Sequence, residues 1–194
     1  MFRAGPVARA VVSDPCAGAR AMVLAVRAAV SAQTLHHSMA PHLGDAQMIY
    51  HGNTPVQEVI LHTSATPGGW HIGKTTAEVV AEIDRWHKAR GWRGIGYHRV
   101  IMPDGDIGIG RSIYDVGAHV KGHNTGTIGL CLIPVRTVQR MGNFEDFYTQ
   151  DQREAVLSYI RQLGELTDIT RVTGHNEYAN KLCPGFAVHT GDWL

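Results

Sequence analysis

The chain has 194 residues, 44% hydrophobic and 18% charged, a balance suited to one soluble globular domain with an appendage. Its net charge is +1 with histidine neutral, so no global field points toward nucleic acid or an anionic membrane. Apolar runs stay well short of the roughly 20 residues that cross a bilayer, and three widely spaced cysteines (Cys16, Cys131 and Cys183) make a poor disulfide framework.

Residues 1–54 differ from the rest, being rich in alanine, arginine and histidine with no clear strand pattern. Ser13-Asp14-Pro15 predicts a helix start, with the helix running to about Ala32. Val30-Ser31-Ala32 resembles a signal-peptide cleavage site, but Arg27 interrupts the apolar part and the region before it is long. A helical or irregular N-terminal extension is the expectation, with a cytoplasmic location rather than secretion.

From Pro55 the pattern is regular. Val56 to His62 reads as a buried strand. Thr75 with Glu78 forms a capping-box signature, and Val79, Ile83 and Trp86 follow at helical spacing toward a stop near Gly91. Tyr97 to Met102 and Ile107 to Arg111 read as a hairpin around Pro103-Asp104-Gly105. Thr127 to Ile133 predicts a central strand that buries Cys131. Thr149 with Gln152 caps a second helix whose Val156, Ile160 and Leu163 share a face, and Thr170 to Thr173 forms a short last strand. The expected fold is α/β: residues 55–194 as a single domain around a central mixed sheet flanked by helices.

The chemistry concentrates near the end, in Gly174-His175-Asn176-Glu177-Tyr178-Ala179-Asn180-Lys181-Leu182-Cys183-Pro184-Gly185-Phe186. His175 and Cys183, joined by His62 at a strand end, would give two imidazoles and a thiolate, a three-ligand zinc set with one position open. Plainer readings stand beside this one. His62 suits a hydrogen-bonded histidine at a sheet edge, His175 a surface histidine, Cys183 a half-buried thiol and Tyr97 a core aromatic. Lys181 is ordinarily a solvated lysine, but beside a metal it gains a role as oxyanion stabiliser. A thiol hydrolase with Cys183 as nucleophile and His175 as base is a separate reading.

Four ordered motifs carry a resemblance. Glu58-Val59-Ile60-Leu61-His62-Thr63-Ser64-Ala65-Thr66 is similar to the first zinc-ligand motif of the type-2 N-acetylmuramoyl-L-alanine amidases, the family of phage lysozymes and peptidoglycan recognition proteins. Arg85-Trp86-His87-Lys88 with Gly96-Tyr97-His98 resembles its second block. Gly117-Ala118-His119-Val120-Lys121-Gly122-His123-Asn124 with Ile128-Gly129-Leu130-Cys131-Leu132 resembles the third, and the segment from Gly174 the fourth. The resemblance runs from about Pro55 to Phe186 and points to the phage-lysozyme branch.

By matching positions it implies His62, His175 and Cys183 as Zn²⁺ ligands and Tyr97 and Lys181 as catalytic residues. His119 and Asn124 match a segment near the family's substrate groove, without an assigned role. The implied activity is zinc-dependent hydrolysis of the amide between N-acetylmuramic acid and L-alanine in bacterial peptidoglycan, by a monomeric phage or prophage endolysin. Relatives that only bind peptidoglycan typically lack the cysteine. A non-catalytic peptidoglycan-binding module is the alternative, and a phage-type member also inhibits an RNA polymerase, which makes a polymerase a further partner implied by resemblance alone.

Overall fold

A computed structural model describes residues 48–194. The helix expected from Pro15 to Ala32, the cleavage-like Val30-Ser31-Ala32 and Cys16 lie outside the described residues.

Five strands form the main sheet, in the order β5-β4-β6-β3-β7. These are β3 (Glu58–Thr63), β4 (Arg99–Ile101), β5 (Ile107–Ile109), β6 (Thr127–Leu132) and β7 (Arg171–Gly174), after a small antiparallel pair of β1 (Tyr50–His51) and β2 (Thr54–Pro55). β4, β6, β3 and β7 run parallel, and only the edge strand β5 is antiparallel. The expected mixed sheet is therefore present, and Thr127–Leu132 does occupy its centre. Every residue of β6 is buried, as both faces of a parallel sheet must be covered.

The covering elements are α1 (Thr76–Ala89) on one face and α2 (Phe144–Phe147) and α3 (Gln150–Gly164) on the other. Both long helices begin where the sequence places them. Thr75 accepts from the Glu78 N–H while the Glu78 carboxylate accepts from the Thr75 N–H, and Thr149 and Gln152 repeat the arrangement. Such N-caps are each worth about 1 kcal/mol. Strand alternation then divides the core. Val59 and Leu61 of β3 and Ile128, Leu130 and Leu132 of β6 pack with Val156, Ile160 and Leu163 of α3. Cys131 and Ile133 turn the other way, toward Val79 and Ile83 of α1. His62, following Leu61, points to the α1 side.

Residues ahead of position 55 also pack against the sheet. Ile49 is buried in the core, and His51 of β1 is buried with its Nδ1 accepting from the Gly126 N–H. Polar Thr54 and Gly52 gave that pair no alternating pattern to read. Likewise the loop before α3 holds the short α2, whose Phe144 and Phe147 are core residues. Among the described residues, no helix is long and apolar enough to cross a membrane.

Candidate metal centre

Parallel pairing brings the first two candidate ligands together. β3 and β7 are in register with Leu61 opposite Gly174, so His62 and His175 emerge side by side at the carboxyl ends of neighbouring strands. Ligands of open parallel sheets commonly bind at that edge. The Nδ1 atoms of His62 and His175 lie 3.1 Å apart, and Cys183 Sγ lies 3.8 Å from His62 Nδ1. His62 is fully buried and the other two are half-buried. One ligand atom from each of the three can be chosen with all within 4.8 Å of one another.

The loop bearing Cys183 is tied down at several points. The Thr63 N–H donates to Cys183 Sγ over 3.2 Å, and the Asn176 N–H donates to the Cys183 carbonyl over 2.7 Å. The buried Tyr148 hydroxyl donates to the Pro184 carbonyl over 2.7 Å. On the other side, Tyr178 and Thr173 donate to the Glu58 carboxylate, fixing the turn after β7 to the start of β3.

Electrostatics keep both imidazoles in the neutral form that binds metals. Burial, reinforced by His119, His175 and Lys181, holds the His62 pKa well below its usual value. Burial and Lys181 also lower that of His175. Burial raises the Cys183 thiol to about 11, although the Thr63 N–H and Lys181 both favour the thiolate. A thiol so raised is a poor nucleophile at neutral pH, which removes the support for a thiol hydrolase. As a metal ligand the same sulfur needs only to release its proton on binding.

The donor set fits zinc. Tetrahedral ligands at ordinary Zn–N and Zn–S lengths stand about 3.3–3.6 Å apart; His62 Nδ1 stands 3.1 and 3.8 Å from the other two ligand atoms, and the whole set lies within 4.8 Å. Two imidazole nitrogens and a sulfur face one another, with a backbone N–H on the sulfur, a donor set that suits a cation.

Tyr97 and Lys181 flank this cluster. The Tyr97 ring lies 5.2 Å from that of His62 and 5.4 Å from that of His87. Burial, with Cys131 and Cys183 nearby, raises the Tyr97 hydroxyl well above its normal range, so it remains a proton donor at neutral pH. Lys181 is exposed and, with His175, His119, Trp92 and Tyr178, lines a cavity of about 640 Å³. The five residues singled out by sequence thus gather around one point, which Tyr97 reaches from ahead of β4.

Comparison with known proteins settles the family. The family model described as N-acetylmuramoyl-L-alanine amidase matches residues 52–186. The chain belongs to that family. As an amidase it is similar to the endolysin of Klebsiella phage KP32, 36% identical over 129 residues that cover 66% of this chain and 80% of the relative. The endolysin of Escherichia phage T7 is 35% identical over 128 residues, with the same coverage. Among solved structures, the amidase LysC from Clostridium intestinale is 28% identical with a TM-score of 0.55, covering 72% of this chain and 83% of that one. Drosophila PGRP-LB, at 24% identity, shares the fold with a TM-score of 0.58 over 71% of this chain and 79% of that one.

Sequence reasoning left His119 and Asn124 without roles. His119 Nδ1 lies 3.0 Å from His62 Nε2, directly behind the candidate ligand. Asn124 Oδ1 accepts from the N–H groups of both His119 and Val120, at 2.8 and 2.9 Å.

Proposed function

We propose that this amidase is zinc-dependent and cleaves the bond between the lactyl group of N-acetylmuramic acid and L-alanine in bacterial peptidoglycan, acting as a phage or prophage endolysin. The observation that carries the reading is the convergence of His62, His175 and Cys183 on one point, with Tyr97 and Lys181 at its sides.

Zinc held by those three residues would supply Lewis-acid polarisation of the scissile carbonyl and a more acidic water. The protein supplies the rest. Lys181, a cation at the cavity wall, offsets negative charge developing on the carbonyl oxygen. Tyr97, held protonated by burial, donates a hydrogen bond toward the reacting atoms. Neutral His62 and His175 keep their lone pairs for the metal across the neutral range. The cavity, walled by Trp92 and Tyr178, offers a polymer chain an aromatic and polar surface beside the centre.

The test is mass spectrometry of purified peptidoglycan digested by the protein, with metal analysis of the same sample. Released stem peptides should begin with a free L-alanine amine and leave the lactyl group on the glycan. Chelation should abolish release and zinc restore it. Cleavage within the glycan or the stem peptide, or activity indifferent to chelator, would overturn the reading.

A further inference from the structure

A neutral imidazole carries one proton on two nitrogens, so a histidine ligand must be told which nitrogen to leave bare. At His62 that instruction can be traced outward to the backbone. Thr127 Oγ1 lies 2.8 Å from the His123 carbonyl and 3.1 Å from the Asn124 carbonyl, and carbonyls only accept. The Thr127 hydroxyl therefore donates its hydrogen there and has a lone pair left for His119 Nε2, 3.4 Å away. His119 thus carries its proton on Nε2 and presents a bare Nδ1, 3.0 Å from His62 Nε2. His62 must then donate from Nε2, which leaves its Nδ1 lone pair facing His175 and Cys183.

The His119 ring has a slot made for it. A Cβ on Gly129 would fall 2.5 Å from His119 Cγ, and one on Gly117 2.5 Å from Cδ2, so both glycines are required by the imidazole between them. Asn124 pins the backbone on which it hangs. His98 lies edge-on at 5.7 Å and is itself fixed, accepting from the Gly129 N–H at Nδ1 and donating from Nε2 to the Asp115 carbonyl.

We propose that His119 is a positioning residue for the metal centre, backed by Thr127, which holds His62 in the tautomer that presents Nδ1 to the metal. The proposal rests on the zinc reading above. Partners behind a metal-bound histidine typically govern 10–100-fold in metal affinity.

Two measurements test it. Nitrogen-15 NMR of the metal-free protein with labelled histidine reads tautomers directly, and His62 and His119 should both carry the proton on Nε2. A proton on Nδ1 of His62 overturns the proposal. Zinc affinity, by competition with a chromophoric chelator, should fall about 10–100-fold in His119→Phe and recover largely in His119→Asn, whose Oδ1 takes the place of Nδ1. Affinity within about twofold of the wild type in folded His119→Phe, with only KM altered, would make His119 a substrate contact and overturn the positioning role. If His119→Phe fails to fold, Thr127→Val should weaken zinc binding and Thr127→Ser restore it; unchanged affinity in Thr127→Val overturns the relay. Should the wild type bind no zinc, the zinc reading fails, and the metal-free tautomers still decide the relay.

Discussion

The main-chain N–H of Thr63 donates to Cys183 Sγ over 3.2 Å, joining the residue after one candidate ligand to another ligand far along the chain. A sulfur accepting from a backbone amide is stabilised as thiolate, which is the form a metal needs. Cys183→Ser should therefore lower zinc affinity by more than the roughly 10–100-fold that follows loss of an outer partner. Lytic activity should vanish with it while the fold persists. Equilibrium dialysis alongside circular dichroism checks both halves.

The flanking groups should separate metal binding from turnover. Lys181→Ala is expected to retain zinc and lose about 10²–10³ in kcat, the usual result of removing an oxyanion donor. Tyr97→Phe should likewise keep the metal and lose about 10²–10⁴. Soluble-substrate kinetics with metal content measured on the same preparation would show it, and full activity in Lys181→Ala would remove the lysine from the mechanism.

Acid should destabilise the metal-free domain through its buried histidines. Burial holds the His98 pKa down at about 4, whereas an unfolded chain takes up the proton near 6.5. The unfolded state then binds more protons below about pH 6.5, so stability is complete above that value and declines as pH falls toward 4. At about 1.4 kcal/mol per tenfold change in proton affinity, His98 contributes roughly 3 kcal/mol across this window. Urea midpoints at stepped pH, with the His98 ring followed by NMR, read the effect. A His98 resonance titrating near its ordinary pKa would contradict it.

Gln152 has two tasks. Its Oε1 caps α3, and its buried Nε2 donates to the carbonyls of Ile101 and Ile133 at the ends of β4 and β6. Gln152→Leu should cost about 1–3 kcal/mol by depriving buried polar groups of a partner. Activity per folded molecule should be unchanged, since the residue lies on the α3 side, away from the centre. Denaturation midpoints and specific activity together test the claim.

Much of this was legible in the chain. Capping boxes at Thr75 and Thr149 are local signals, and both helices start where they say. The apolar run through Cys131 is long enough to name a central strand, and its strand is fully buried. The ordered motifs around His62, Tyr97 and His175 singled out residues that the fold brings together. The His62–His119–Thr127 relay was not legible, because a tautomer is set by distant backbone carbonyls and by the absence of side chains at Gly117 and Gly129. The second task of Gln152 was equally hidden behind its role in the cap. Short elements such as β1, β2 and α2 carry too few residues for periodicity to show.

The strand bearing His62 is flanked on both sides by segments that are made later, β6 and then β7. A chain still emerging from the ribosome can pair β3 with β6, yet it holds one donor of the three until β7 docks and delivers His175 and Cys183. A shift of β3 by a single residue would also turn His62 to the opposite face. The three candidate ligands thus meet only when the sheet is complete and in register, so the centre is assembled from the earliest and the latest strands of the sheet together.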